Sequence, residues 1–268
     1  DIMATKMSES KADLIEVSSV RDRVSPEEWQ TRVDLADCYR LVFNYGWHHL
    51  ILNHISARVP GENDQFLLNP YGLMYNEVTA SNLVKVDLDG TILDDSPYTI
   101  NEAGYTIHSA VHGARHDVVC VLHTHTEAGM GISALNCGLL PLNQGALRFY
   151  NRIGYHDYEG IALDLDERAR IVASLGSHKS LILRNHGLLT AGASVAEAFV
   201  LMYHLEKACA AQLAINAFSA DSNAYTIPSP EVCEHAAQQA NRDGRDHGAP
   251  SWPALVRMMD KEDPSFRD

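Results

Sequence analysis

The sequence predicts an α/β fold, and three observations predict it. Short runs with the alternation and turn signals of strands cluster between residues 55 and 93. Two longer segments, opening at Ser25 and at Ser194, carry capping signals and helical spacing of apolar residues. Two further apolar runs, Val118–Leu122 and Leu181–Leu183, each lead into histidine within a few residues.

Residues 1–24 are polar and aperiodic, and read as an arm ahead of a main domain spanning 25–218. Ser25-Pro26-Glu27-Glu28 supplies an N-cap, a first-turn proline and a capping-box glutamate. Trp29, Val33, Ala36 and Phe43 follow at near-helical spacing, which predicts a helix to about Gly46. Strands are expected at Ile55–Val59, Gln65–Leu68 and Leu83–Leu88, with Asp89-Gly90 as a hairpin turn before Thr91–Leu93. A helix from about Asn101 to Arg115 precedes the first histidine strand. Ser194, with Glu197 three residues on, caps a long helix expected to reach Phe218. Ser219–Pro230 reads as a linker. Residues 219–268 form a helical tail, with a helix near Glu231–Asn241 and a Trp252 segment that has no obvious place in the main domain. The tail is expected to pack on the core or on a neighbouring subunit.

Composition sets outer bounds. A chain of 268 residues with 46% hydrophobic content can bury a sizeable core. The formal net charge of −14 offers no basic patch, which argues against nucleic acid and anionic membrane surfaces as partners. An anionic substrate would need local cations or a metal. Five cysteines, odd in number and scattered through mostly apolar segments, fit reduced core residues of a cytoplasmic protein better than a disulfide framework. No signal-peptide pattern and no bilayer-length apolar run are found.

The histidines carry the chemistry. Side chains alternate along a strand, so His123 and His125 project from the same side and can reach one cation. Arg184-Asn185-His186-Gly187 brings a third imidazole at the end of another strand. Three neutral imidazoles are a common ligand set for a catalytic divalent metal, with positions left open for substrate. In a chain with 14 histidines, however, a His-x-His pair alone is more often unremarkable. His108 and His112 share a helix face four residues apart, and packing or support outweighs a second metal pair there. His48, His49 and His54 flank the loop before Ile55, where pocket lining and solvation are equally compatible. His204 reads as a hydrogen-bonded core histidine.

From Asn53-His54-Ile55-Ser56-Ala57-Arg58-Val59, through Asn69-Pro70-Tyr71-Gly72 and Val84-Lys85-Val86-Asp87-Leu88-Asp89-Gly90, to His123-Thr124-His125 and Asn185-His186-Gly187, the chain resembles the class II aldolase/adducin family. The likeness spans roughly residues 28–218, with the motifs in the family's order. It implies an α/β/α three-layer fold with a central, mainly antiparallel sheet, and one divalent metal per subunit, Zn2+ or Mn2+, on His123, His125 and His186. It also implies a homotetramer with active sites between subunits. Adducin-type members resemble the chain around Asn53–Gly90 but lack the metal histidines, all three of which are kept here.

Departures from the family pattern narrow the chemistry. The hydroxyl residues that hold phosphate in the family's sugar-phosphate aldolases are replaced, with Leu50-Ile51-Leu52-Asn53, Tyr71-Gly72 and Glu102-Ala103 in their place; only Asn53 and Gly72 survive. The family's acid/base glutamate falls on Gly104, and Glu102 two residues earlier is the nearby carboxylate. Glu102 is therefore a candidate acid/base, or else a first-turn residue meeting the helix dipole. Tyr71, Tyr75, Phe149, Tyr150, Tyr155 and Tyr158 offer an aromatic wall if they are not core packing, and Tyr155 and Tyr158 are candidate proton donors. Arg148, Arg152 and Arg184 are candidates to pair with a second carboxylate, against a default of surface salt-bridging. Substrate binding is thus expected at Asn53, Tyr71, Gly72, Arg148 and Arg184.

These features resemble the family's decarboxylases of hydroxylated aromatic or pyridine carboxylates, one of which uses manganese. The expected function is a metal-dependent carbon–carbon lyase acting on a small molecule, with decarboxylation of a non-phosphorylated hydroxy-aromatic or hydroxy-pyridine acid placed first. Aldol cleavage of a small hydroxy-ketone or hydroxy-ketoacid is the alternative. An adducin-like interaction protein with a vestigial metal site is the reading from a different class.

Overall fold

The computed structural model describes residues 15, 17–160, 166–219, 221, 224–242 and 245–268, and for Glu102 and Ala103 the backbone alone. Seven strands, β1 (Ile55–Arg58), β2 (Gln65–Leu68), β3 (Val84–Asp87), β4 (Cys120–Thr124), β5 (Gly154–His156), β6 (Ser180–Leu183) and β7 (Gly187–Gly192), form one sheet in the order β3-β2-β1-β4-β7-β6-β5. Every pairing is antiparallel except β5 with β6.

Alternation along the strands makes the layers. Cys120 and Leu122 of β4, Ile55 and Ala57 of β1 and Leu188 of β7 belong to a core shared with α1 (Pro26–Asn44) and α6 (Val195–Phe218). Val121, Leu181, Leu183, Leu189 and Ala191 face the other way, onto α2 (Glu102–Ala114) and α5 (Glu167–Leu175) through Ile107, Val111, Ile171 and Leu175. The expected α/β/α arrangement with a mainly antiparallel sheet is therefore the observed one. Strands buried on both faces read as continuous apolar runs, as Leu181-Ile182-Leu183 does.

Local signals work where the sequence placed them. The Ser25 hydroxyl accepts the Glu28 N–H at 3.1 Å with Pro26 in the first turn, and the Ser194 hydroxyl accepts the Glu197 N–H at 3.0 Å. Gly90, at φ 84°, turns the chain so that Asp87 N–H reaches Thr91 O at 3.0 Å. The short elements carry no such period and were not anticipated: β5, α3 (Glu127–Ser133), α4 (Gln144–Leu147) and α5. β7 was also missed, because Gly-Leu-Leu-Thr-Ala-Gly is buried throughout and shows no alternation.

The tail has its place within the same chain. It contains α7 (Pro230–Ala240) and α8 (Trp252–Glu262). Trp252 meets Phe199 of α6 edge-on at 6.1 Å, and Phe266 is fully buried. Ala80 and Ser81 N–H groups donate to Phe266 O at 2.9 Å and Asp268 O at 2.8 Å. Arg40 of α1 pairs with Asp263 and donates to the Ser265 hydroxyl at 3.1 Å.

Candidate metal centre

β4 is the fourth of seven strands, held by β1 on one edge and β7 on the other, so its C-terminal end is fixed from both sides. His123 lies on the α2 side of the sheet with Val121, while Thr124 points to α6, where its hydroxyl donates to Glu206 Oε1 at 2.7 Å. Thr126, the N-cap of α3, donates to Glu206 Oε2 at 2.7 Å. One buried carboxylate thereby anchors the backbone on both sides of His125, and burial raises its pKa.

His186 sits in the three-residue turn that joins β6 to β7 across the Leu183–Gly187 pair, rather than on a strand. Asn185 takes φ 54° there, a conformation asparagine tolerates. Gly187 is required by packing, since a Cβ would collide with the Thr124 carbonyl and crowd the His125 ring. That close approach brings the turn against the end of β4.

His123, His125 and His186 converge, with one ring nitrogen from each inside 4.8 Å of the others. His123 Nε2 is 2.7 Å from His125 Nε2 and 3.2 Å from His186 Nε2. His123 Nδ1 faces the Leu188 carbonyl at 2.8 Å, so it carries the proton and Nε2 presents its lone pair to the cluster. Burial lowers the pKa of all three, that of His125 to about 3, with repulsion from His186 adding to the effect for His123 and His125 and repulsion from His156 for His186. Neutral imidazoles are the ligating form. A proton satisfies only one such contact, whereas a divalent cation satisfies all three lone pairs. Ligand nitrogens on a tetrahedron with metal–nitrogen distances of about 2.1 Å lie roughly 3.4 Å apart, which falls within the 4.8 Å that holds the three nitrogens. Three imidazole donors fit zinc or manganese and would leave coordination positions open.

The other expected residues scatter. Asn53 is fully buried, and neither of its side-chain polar atoms has a hydrogen-bond partner among the described residues. Tyr158 is half exposed and meets His186 edge-on at 6.5 Å. Tyr71 is 44% exposed, and Gly72 takes φ 97°, which accounts for glycine there. Tyr155 instead accepts the Leu139 N–H at 3.0 Å, and Arg184 stacks on its ring at 4.4 Å while donating to Leu135 O at 2.6 Å. Both are thus held by a neighbouring loop. Arg148 lines a separate cavity of about 540 Å3 with Arg152, Lys179, Arg242, Arg245 and His247. Phe149, Tyr150 and Tyr155 line another, and Tyr75 is buried against Tyr39, so the expected aromatic wall is dispersed. The Glu102 side chain lies outside the described residues; its backbone opens α2.

His108 and His112 are bridged by one hydroxyl rather than turned onto each other as a metal pair: Ser56 Oγ lies 2.6 Å from His108 Nδ1 and 2.8 Å from His112 Nε2, and His112 stacks on Phe66. Sequence reasoning missed Glu206 and the Leu188 carbonyl as supports, since only folding brings α6 and β7 to β4. It left His49 and His54 undecided. His49 Nδ1 lies 3.3 Å from His125 Nδ1, and His54 is buried beside the triad.

Residues 33–213 match the family model described as the class II aldolase and adducin N-terminal domain, more than half of the chain. The chain belongs to the class II aldolase and adducin family. An aldolase II superfamily protein from Pseudomonas syringae is 50% identical and superposes with a TM-score of 0.88, covering 94% of this chain and 100% of that one. L-fuculose 1-phosphate aldolase from Glaciozyma antarctica is 25% identical with a TM-score of 0.79, covering 96% and 97%. Rat alpha-adducin is 42% identical over 85% of this chain and 33% of its own length. The family thus contains an aldolase and an adducin within reach of this sequence. Among the described residues no helix is long and apolar enough to cross a membrane.

Proposed function

We propose that the protein is a divalent-metal-dependent carbon–carbon lyase whose substrate is a small, non-phosphorylated acid carrying a hydroxyl beside its carboxylate. The observation that carries this reading is the convergence of three neutral imidazoles, one lone pair each, at the end of β4. A cation held there would serve as a Lewis acid towards a chelating hydroxyl–carboxylate pair. His123, His125 and His186 would hold it, with the Leu188 carbonyl fixing the His123 tautomer. Leu50 and Leu52 are exposed at the loop that would otherwise offer hydroxyls to a phosphate, so a dianion would meet apolar groups there. Tyr158 beside His186 offers a flat face and a hydroxyl to a ring-bearing substrate.

Decarboxylation of a hydroxy-aromatic or hydroxy-pyridine acid is the reaction we place first. Aldol cleavage is the second reading, favoured by the likeness to the fuculose 1-phosphate aldolase over nearly the whole chain. An adducin-like binding role leaves the triad without a use. We place the enzyme in the cytoplasm as a homotetramer, and sedimentation showing only monomer at micromolar concentration would contradict the assembly.

The deciding experiment loads the protein with Mn2+ or Zn2+ and offers hydroxy-aromatic acids, hydroxy-pyridine acids and small hydroxy-ketoacids. Metal-dependent release of carbon dioxide is expected. Release of an aldehyde instead would select aldol cleavage, and efficient cleavage of fuculose-, rhamnulose- or ribulose-phosphates would restore a sugar-phosphate substrate. Failure to retain metal would leave the binding role.

A further inference from the structure

Beside the triad lies an imidazole that the chain buries without a partner. His54 is 6% exposed, and neither ring nitrogen has a hydrogen-bond partner among the described residues. Buried polar atoms are ordinarily paired, so two orphaned nitrogens on one ring call for a ligand.

The ring faces the same ground as the triad. His54 O accepts the His123 N–H at 3.3 Å, which ties it to the ligand-bearing end of β4. Two residues on, Ser56 points its hydroxyl at His108 and His112 of α2, and His54 shares that side, meeting the His108 ring edge-on at 5.7 Å. Charge on His186 opposes charge on His54, and charge on His54 opposes charge on His123 and His125, so the four rings lie within one another's field.

The ring is there because residue 104 is glycine. A Cβ at Gly104 would fall on the His54 imidazole, overlapping Cε1, Nδ1 and Nε2. Gly104 lies in the first turn of α2 and takes no left-handed φ, so its backbone has no need of glycine. Glycine is disfavoured in a helix, and the ring is what requires it here.

We infer that His54 is the proton-exchanging catalytic residue of the triad site, in the volume that Gly104 leaves free. The inference rests on the lyase reading above. The neutral imidazole takes the proton of the substrate hydroxyl, and the carbon–carbon bond breaks with its electron pair kept on the retained fragment. The imidazolium then returns that proton to the carbon bearing the pair. In decarboxylation the products are carbon dioxide and a phenolate-type anion, which takes a proton from water after release. In aldol cleavage they are an aldehyde and a ketone or ketoacid.

The test uses full-length, metal-loaded protein with 3-hydroxypyridine-4-carboxylate as the decarboxylation probe and 4-hydroxy-2-oxopentanoate as the aldol probe. His54→Gly should keep its metal and lose kcat on the active probe by at least 100-fold. Added imidazole should restore at least tenfold of that loss, and calorimetry should show the variant binding one more imidazole than the wild type. Gly104→Ala should lower the melting temperature and turnover, and combining it with His54→Gly should recover the melting temperature only. Retention of kcat within threefold in His54→Gly overturns the inference, as does loss of metal or a loss that imidazole does not restore. A wild-type enzyme inactive on both probes is a failure of the lyase reading itself, and the inference falls with it.

Discussion

Two histidine groups sit on the same face of the sheet, and they differ in what closes them. His108 and His112 each turn one nitrogen onto one hydroxyl, Ser56, which bridges the two rings, while the other nitrogen of each has no hydrogen-bond partner among the described residues. His123, His125 and His186 turn theirs onto one another. Burial lowers the pKa in both groups, although His125 and His186 are only partly buried, so a depressed pKa does not separate them. Convergence of lone pairs does. A serine hydroxyl absorbs two imidazoles as a structural unit, whereas three mutually facing imidazoles call for a cation.

The comparison breaks most visibly at the triad. His186→Ala should lower bound metal from near one per subunit to near none and cut turnover by more than 100-fold, with the far-ultraviolet dichroism unchanged; full metal occupancy by elemental analysis would refute it. Its ring sits in a turn rather than in the core, so the fold does not depend on it.

Acid should open the pair that Ser56 bridges. Burial lowers the His112 pKa to about 3, below the ordinary 6.5 it regains on unfolding. Between those values the unfolded chain binds more protons, so stability is present above pH 6.5 and lost as pH falls towards 3, at up to about 1.4 kcal/mol per pH unit for one histidine. Urea unfolding of metal-free protein from pH 7 to 4 should show a shallower slope in His112→Gln than in the wild type. Equal slopes would count against the assignment.

Removing the bridging hydroxyl gives a smaller effect. Ser56→Ala orphans a nitrogen on each ring and should cost roughly 1–3 kcal/mol in denaturant unfolding, with metal content unchanged. Metal loss in this variant would mean the two groups act as one. The smallest effect belongs to Tyr155→Phe, which removes an acceptor for the Leu139 N–H and should cost about 1 kcal/mol while turnover stays within threefold. A large fall in turnover would return Tyr155 to the chemistry.

Much of this was legible from local signals. The Ser25 and Ser194 caps, the Asp89-Gly90 turn, the strand candidates from Ile55 to Leu88 and the common side of His123 and His125 all follow from periods and turn chemistry that act over a few residues. Short elements such as β5 and α4 have too few residues to show a period, and β7 is buried on both faces.

What only the tertiary structure decided are meetings between distant segments. Glu206 reaches Thr124 and Thr126 across about 80 residues of sequence, Leu188 orients His123, and Trp252 finds Phe199. The same packing gave Tyr155 and Arg184 partners in the loop after α3 and set Arg148 in the lining of another cavity. It also set the His54 ring over Gly104, a pairing that no spacing announces. Residue type and short-range spacing determine which groups can do the chemistry. Which of them share one volume is set by long-range burial, because only the closed sheet and its two helix layers remove water and bring the side chains within reach.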